Sequence, residues 1–217
     1  MSKKYGVIGL GFFGRQLAKD LAGMGHQVLA IDHHEESVAE VQDLVDKAII
    51  GDVTQPNLFE ELLTEDFDAV VVTMATNLEA SLLSVLNAHE QGVEHVIAKS
   101  SGPEHTTILK RLGVDRIVMP EEDMANRLAR EMGNPNVNEY LQLDGDHSLM
   151  EIVVPEQFVG KSLRDMNLRE DYELQVIGVR TGGIGQVDYV PDPNRPFDEG
   201  DEVVITGPEA RLMELTD

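Results

Sequence analysis

Gly9-Leu10-Gly11-Phe12-Phe13-Gly14 constrains this chain more than any other stretch. It is a G-x-G-x-x-G loop that follows the apolar run Tyr5-Gly6-Val7-Ile8 and leads into a helical pattern. Strand, glycine turn and helix in that order form the start of a βαβ unit that receives a nucleotide's phosphates. The first glycine permits the tight turn. The second lets the backbone approach a pyrophosphate, and the third lets the helix pack close to the strand. The open N–H groups at the helix start then offer partial positive charge to an anion.

The second half of the unit is also present. Gly25-His26-Gln27 ends the helix, Val28-Leu29-Ala30-Ile31 reads as a buried strand, and Asp32 stands at its end. An acid there accepts hydrogen bonds from ribose hydroxyls and repels a 2′-phosphate. The other reading is that Asp32 caps the helix predicted from Glu35 to Val45. NAD, ADP, ATP and AMP all satisfy the unit, and a preference for NADP is not expected.

Apolar runs and helical segments alternate through the first two-thirds. Further strands are predicted at Ala48 to Ile50, Ala69 to Thr73, His95 to Ala98 and Arg116 to Val118. The helices between and after them are predicted at Phe13 to Met24, Asn57 to Leu63, Asn77 to Gln91, Gly102 to Leu112 and Glu122 to Met132. This is an α/β pattern, a Rossmann-like doubly wound parallel sheet with right-handed crossovers. Asp52 in Gly51-Asp52 falls at the carboxyl edge of the third strand, where such folds bind ligands. It reads as an adenine contact, or as a turn residue before Val53-Thr54.

The pattern changes near Gly133. Residues 1–134 form the expected nucleotide-binding domain, Gly133-Asn134-Pro135-Asn136 breaks its last helix, and 135–147 have a linker's polar, turn-rich composition. Residues 148–217 form an expected small α+β module. Its predicted strands are Leu149 to Val154, Leu174 to Arg180, Gln186 to Val190 and Glu202 to Thr206; its helices are Ser162 to Met166 and Glu209 to Leu215. About 70 residues is near the lower limit for independent folding, so dimerisation through this module is expected.

Composition narrows the function classes. The chain has 217 residues and no cysteine, which excludes disulfides, thiol catalysis and cysteine-based metal sites. Forty acidic against 17 basic residues give a net charge of −23, which opposes nucleic acid and anionic membranes. The acids are spread along both halves, as on a solvated surface or in a chain adapted to high salt. No run approaches a membrane span, and Met1-Ser2-Lys3-Lys4 leads into the first strand without a secretory pattern, so a cytoplasmic protein is expected.

A dehydrogenase would need catalytic groups beside the cofactor. None of the tyrosines Tyr5, Tyr140, Tyr172 and Tyr189 precedes a lysine by four residues. His33-His34 follows Asp32 as a ligand contact or as exposed loop residues. The nucleotide therefore reads as a ligand that is sensed, and no enzyme activity is expected. A stand-alone NAD(H)-dependent oxidoreductase is the alternative.

Several motifs together resemble one family. Val7 to Gly14, Gly25 to Asp32 and Gly51-Asp52-Val53-Thr54 resemble the RCK (TrkA-N) domain. Leu112-Gly113-Val114-Asp115-Arg116-Ile117-Val118-Met119-Pro120-Glu121 resembles the corresponding segment of Ktr-type proteins, and the helix after Asp123-Met124-Ala125 matches their subunit-swapping crossover. Gly160-Lys161-Ser162-Leu163 and Phe197-Asp198-Glu199-Gly200-Asp201 resemble TrkA-C.

The resemblance implies a cytosolic regulatory subunit that forms dimers and octameric rings under a membrane potassium channel or transporter and gates it. A regulator of a different ion transporter is an alternative. Gating needs an adenine nucleotide (ATP/ADP, NAD/NADH or AMP) to bind two conformations unequally. The implied contact set is Gly9, Gly11, Phe12, Phe13, Gly14, Arg15, Asp32, His33, Asp52, Val53, Thr73 and Lys99. Ktr-type proteins often carry an arginine where this chain has Phe12. Arg15, the nearest base, either substitutes for it or faces solvent, and Lys99 resembles a family lysine near the phosphates or is a surface lysine. Glu121 matches an acid that helps hold a divalent or monovalent cation, and otherwise reads as helix N-terminal charge. Some relatives bind cyclic di-AMP between C-terminal modules. Arg169, with Val176 and Ile177, is the candidate here, against a plain core strand and surface arginine.

Overall fold

The structure, a computed structural model, describes residues 2–62, 67–133, 136–143 and 145–216. Met1, the predicted helix end Leu63, Asn134 and Pro135 of the expected turn, and Asp144 of the expected linker lie outside the described residues. The chain divides into two compact units, Met1–Pro120 and Glu121–Asp217.

In the first unit, β1 (Lys4–Ile8), α1 (Phe12–Gly23), β2 (Gln27–Asp32), α2 (Glu35–Ala39) and β3 (Lys47–Ile50) are followed by α3 (Pro56–Leu62) and β4 (Ala69–Val72). Then come α4 (Leu78–Glu90), β5 (Val96–Lys99), α5 (Pro103–Arg111) and β6 (Arg116–Val118). Among the described residues, these six strands form one sheet in the order β3-β2-β1-β4-β5-β6, every neighbouring pair parallel. The order reverses between β1 and β4, and that reversal opens a crevice at the carboxyl ends of the strands.

Strand alternation divides the core between the two sheet faces. Val7, Val28 and Ala30 pack with Leu10 and Ala18 on one face, and Ile8, Leu29, Ile31, Val70 and Val72 pack with Phe59 and Val85 on the other. The predicted strands and helices of this unit all appear, with one shortened element. The helix expected from Glu35 to Val45 ends at Ala39, and the chain continues in turns. Those turns bring Asp46 to the amide of Val28, which donates to its Oδ2 at 2.9 Å.

The second unit begins with α6 (Pro120–Gly133), β7 (Val137–Gln142), β8 (His147–Val153), α7 (Leu163–Met166) and α8 (Leu168–Asp171). It ends with β9 (Gln175–Arg180), β10 (Glu202–Pro208) and α9 (Glu209–Thr216). An antiparallel sheet ordered β7-β8-β10-β9 carries the core of Tyr140, Met150, Ile152, Val203, Ile205 and Leu212. Ser162 and Asp165 form a reciprocal capping box at the start of α7, the reason a helix of four residues persists.

Two expectations are corrected here. The polar segment 135–147 contains β7, paired antiparallel with β8. Its apolar residues fall out of period 2 because a register shift between Val137 and Glu139 changes the phase, so Val137 and Tyr140 both turn inward. Gln186 to Val190 is not a strand. It makes a single bridge, with Val179 and Asp188 exchanging backbone hydrogen bonds at 2.9 and 2.8 Å. The Asp188 side chain accepts from the Val190 amide at 2.9 Å and turns the chain outward, leaving Tyr189 and Val190 exposed. From Glu121 on, α6 belongs to the second unit, whereas the expected first domain ran to residue 134.

Asp201 anchors the second unit. It is fully buried and accepts from the Gly182 amide at 2.8 Å, the Asp198 amide at 3.0 Å and the Arg195 guanidinium at 2.9 Å. Asp201→Ala leaves these donors without their acceptor and is expected to cost about 3 kcal/mol, measured by urea unfolding. An unchanged midpoint would show that water replaces the carboxylate at no cost.

Candidate functional site

A cleft of about 680 Å³ opens at the carboxyl edge of the parallel sheet. Its size suits a small-molecule ligand. Gly9, Gly11, Asp32, His33, Asp52, Val53, Thr73 and Lys99 line it. Eight of the twelve residues expected to meet the nucleotide are thus brought to one place.

The glycine loop is held by its neighbours. Gly9 has a positive φ of 94° and donates its N–H to Ile31 O at 2.8 Å. A Cβ on Gly9 would lie 2.4 Å from Met74 Cγ. Thr73, just past β4, donates its hydroxyl to Gly9 O at 2.6 Å, so this side chain fixes the loop as well as lining the cleft. Gly14 is buried under the loop, where a Cβ would lie 2.0 Å from Gly9 O. Gly11 is different: its φ of −61° is ordinary, and a Cβ there would meet nothing within 4 Å. The space above Gly11 is open to a ligand, and no side chain caps α1.

Asp32 has two tasks. Its Oδ2 accepts from the Leu10 amide at 2.6 Å, which ties β2 to the glycine loop. Its Oδ1 accepts from the His34 amide at 2.8 Å. Burial alone would raise this carboxyl's pKa. The Leu10 and His34 amides, the His34 ring and the charge of His33 outweigh burial and hold it below its ordinary 3.8. Asp52 is held below the same value first by the Thr54 hydroxyl at 2.7 Å and then by the Thr54 amide at 3.0 Å. The turn reading of Asp52 is therefore realised, and its side chain also faces the cleft.

Four expected residues do not line the cleft. Phe12 is 82% exposed, and Phe13 lies with its ring 5.8 Å from Lys99 Nζ. Gly14 acts from beneath. Arg15 points away: its Nε pairs with Glu40 at 3.0 Å and its NH1 donates to Leu10 O at 2.9 Å. Glu121 is exposed in the first turn of α6, and Arg169 is exposed on α8, with Val176 and Ile177 half-buried on β9.

The segment after β4 is the part of the site that sequence reasoning missed. Met74, Ala75, Thr76, Asn77 and Ala80 line the cleft, as do His34, Ser37 and Thr54. Asn77 caps α4, its side chain accepting from the Ala80 amide at 3.0 Å, so a second helix N-terminus opens on the crevice. The signal was the strand-to-helix junction Thr73 to Asn77, which sits opposite the glycine loop once the strand order reverses between β1 and β4.

Residues 5–120 match the TrkA-N domain, and residues 149–217 match the TrkA-C domain. The Ktr system potassium uptake protein C of Bacillus subtilis (strain 168) is 37% identical over 182 residues, 84% of this chain and 82% of that protein. The Ktr system potassium uptake protein A of Vibrio alginolyticus is 35% identical over 210 residues, 97% of this chain and 94% of that protein. Among solved structures, the GsuK channel bound to NAD shares the fold with a TM-score of 0.65 at 17% identity. That likeness covers 99% of this chain and 39% of the channel's. With both domains matched in order along most of its length, the chain belongs to the TrkA-N/TrkA-C family that includes the Ktr system potassium uptake proteins.

Proposed function

We propose that this protein is a nucleotide-sensing regulatory subunit of a potassium transport system. The observation that carries the reading is the cleft at the strand-order reversal, where an open Gly11, the Asp32 carboxylate and two helix N-termini converge. The family supplies the context, since its Ktr members are potassium uptake proteins.

An adenine nucleotide fits this geometry. Its pyrophosphate would lie over Gly11 against the start of α1, its ribose diol on Asp32 and His33, and its adenine toward Asp52 and Val53. Lys99 would meet the phosphates. ADP, ATP, AMP, NAD and NADH share the adenosine part, and NAD is the ligand of the GsuK channel that has this fold. Unequal affinity for two conformations would then transmit the ligand's identity to a membrane channel or transporter subunit.

Among the described residues no helix is long and apolar enough to cross a membrane. As a regulatory subunit of a transport system, the protein would pair with a membrane channel or transporter subunit. The protein would act at the cytoplasmic face of that partner. Self-association has its own support. Met124, Leu128 and Met132 recur at four-residue spacing on α6 and are 59%, 51% and 77% exposed. That stripe suits a second copy of the helix, the first step toward a ring. Glu121 remains the proposed cation contact at the start of that helix, and Arg169 the proposed contact for cyclic di-AMP.

Calorimetric titration with ATP, ADP, AMP, NAD and NADH tests the reading. Saturable binding by at least one of them is expected, weakened by Asp32→Asn and unaffected by Asp43→Asn on the exposed surface. Binding by none, or equal loss in both variants, overturns it. Co-reconstitution with the membrane subunit would then report potassium flux that changes with the bound nucleotide.

A further inference from the structure

His33 and His34 are adjacent in sequence, yet both rings turn back onto one carboxylate oxygen. Their ring centroids lie 3.6 Å apart. His33 Nδ1 is 3.3 Å and His34 Nδ1 is 3.1 Å from Asp32 Oδ1. All three potential ligand atoms lie within 4.8 Å of one another. The rings are 62% and 67% exposed, while the Asp32 side chain is 8% exposed.

The two spacings from Asp32 Oδ1 suit a metal centre. With metal–ligand bonds of about 2.1 Å, the edge between two ligands of a tetrahedral ion is roughly 3.4 Å, and of an octahedral ion roughly 3.0 Å. Both separations from Asp32 Oδ1 fall in or near that range. Two imidazoles with one carboxylate select a borderline transition ion, Zn²⁺, Ni²⁺ or Cu²⁺, over Mg²⁺ or Ca²⁺, which prefer oxygen donors.

We propose that Asp32, His33 and His34 form a transition-metal site, and that an ion bound there excludes the nucleotide's ribose. With each ring proton carried on Nε2, both Nδ1 lone pairs become available. The Leu10 and His34 amides already fix the Asp32 carboxylate, the orienting support that metal ligands require. Three protein ligands leave the remaining positions of the ion to water.

The antagonism follows from Asp32 itself. The carboxylate that would accept the ribose hydroxyls is the one that would bind the ion. Lying between the glycine loop and Asp52, the ion would occupy the adenosine half of the cleft and leave the Gly11 end open. This second part rests on the nucleotide reading above; the ion site does not.

Two measurements separate them. Co²⁺ titrated into the nucleotide-free protein should give one saturable visible absorption band per chain, displaced by Zn²⁺. The His33→Gln/His34→Gln double variant should weaken Co²⁺ binding on the order of 100-fold while its circular dichroism spectrum shows the fold retained. Equal binding by the double variant, or no saturable band in the parent chain, overturns the site. Zn²⁺ at saturation should then reduce ADP or NAD affinity at least tenfold in the parent chain, with a far smaller ratio in the double variant. Co²⁺ binding without that competition would overturn the antagonism and leave the site standing.

Discussion

Gly14→Ala is expected to lower the stability of the first unit by about 3 kcal/mol or more and to abolish nucleotide binding. The new Cβ would sit 2.0 Å from Gly9 O, 2.7 Å from Thr73 Oγ1 and 3.1 Å from Gly9 C. Two of those atoms are backbone, and the third is a hydroxyl already bonded to Gly9 O. Nothing flexible can yield, so α1 must move off the sheet and carry the loop with it. For a chain of this length that corresponds to a fall of about 6 °C or more in melting temperature. The neighbouring Gly11→Ala is the matched control. Its Cβ enters open space at an ordinary φ, so stability should stay within about 0.5 kcal/mol. Nucleotide affinity should nevertheless fall at least tenfold, ~1.4 kcal/mol, because the methyl group fills the space reserved for phosphate. Melting and calorimetry on the two variants distinguish a loop glycine required by the fold from one required by the ligand. Equal melting losses would refute that division of labour.

Asp32→Asn has the second largest expected effect, although it removes one charge and keeps the shape. Both oxygens of Asp32 accept backbone N–H groups, Leu10 on Oδ2 and His34 on Oδ1. An amide has one acceptor oxygen, so whichever way it turns, its NH₂ faces a donor. The buried mismatch should cost on the order of 2 kcal/mol. Loss of a charged ribose acceptor should add a fall in nucleotide affinity on the order of 100-fold. Acidity provides the check. The carboxyl's folded pKa lies below 3.8, so its contribution is complete above pH 3.8 and is lost as pH falls through the folded value. The stability gap between parent and variant, from urea unfolding, should be open at pH 5 and narrow as the pH drops below about 3.8. A gap unchanged at pH 2.5 would assign the loss to something other than the ionised carboxylate.

Both substitutions act on residues whose meaning was legible in the sequence, for a shared reason. The strand–glycine loop–helix–strand–acid unit is local, and each member has few chemical substitutes. Lys99, Asp52 and Thr73 were legible because a parallel sheet brings strand ends to one edge. What escaped depends on contacts distant in sequence or on phase. Arg15 looked like a phosphate partner by proximity, but its pairing with Glu40 appears only once α2 stands beside α1. β7 was hidden because its bulge breaks the alternation that marks a strand. The run Gln186 to Val190 misled in the opposite sense. Its residues favour strands, but the positive-φ Gly182, Gly183 and Gly185 and the Asp188 turn take the chain away from the sheet after one bridge.

The engagement of Arg15 also bears on how fast a ligand arrives. With that guanidinium on Glu40, Lys99 is the one permanent cation among the described lining residues, which also include Asp32 and Asp52. A phosphate therefore approaches a chain of net charge −23 whose repulsion reaches far, and it meets its attraction, from Lys99 and the loop amides, only at contact. Ionic strength shortens the first and barely touches the second, since the screening length falls from about 10 Å at 0.1 M to about 3 Å at 1 M. Encounter with a phosphate-bearing ligand is thus expected to quicken as salt rises, the reverse of a basic binding protein, and stopped-flow association rates across a salt series would check it.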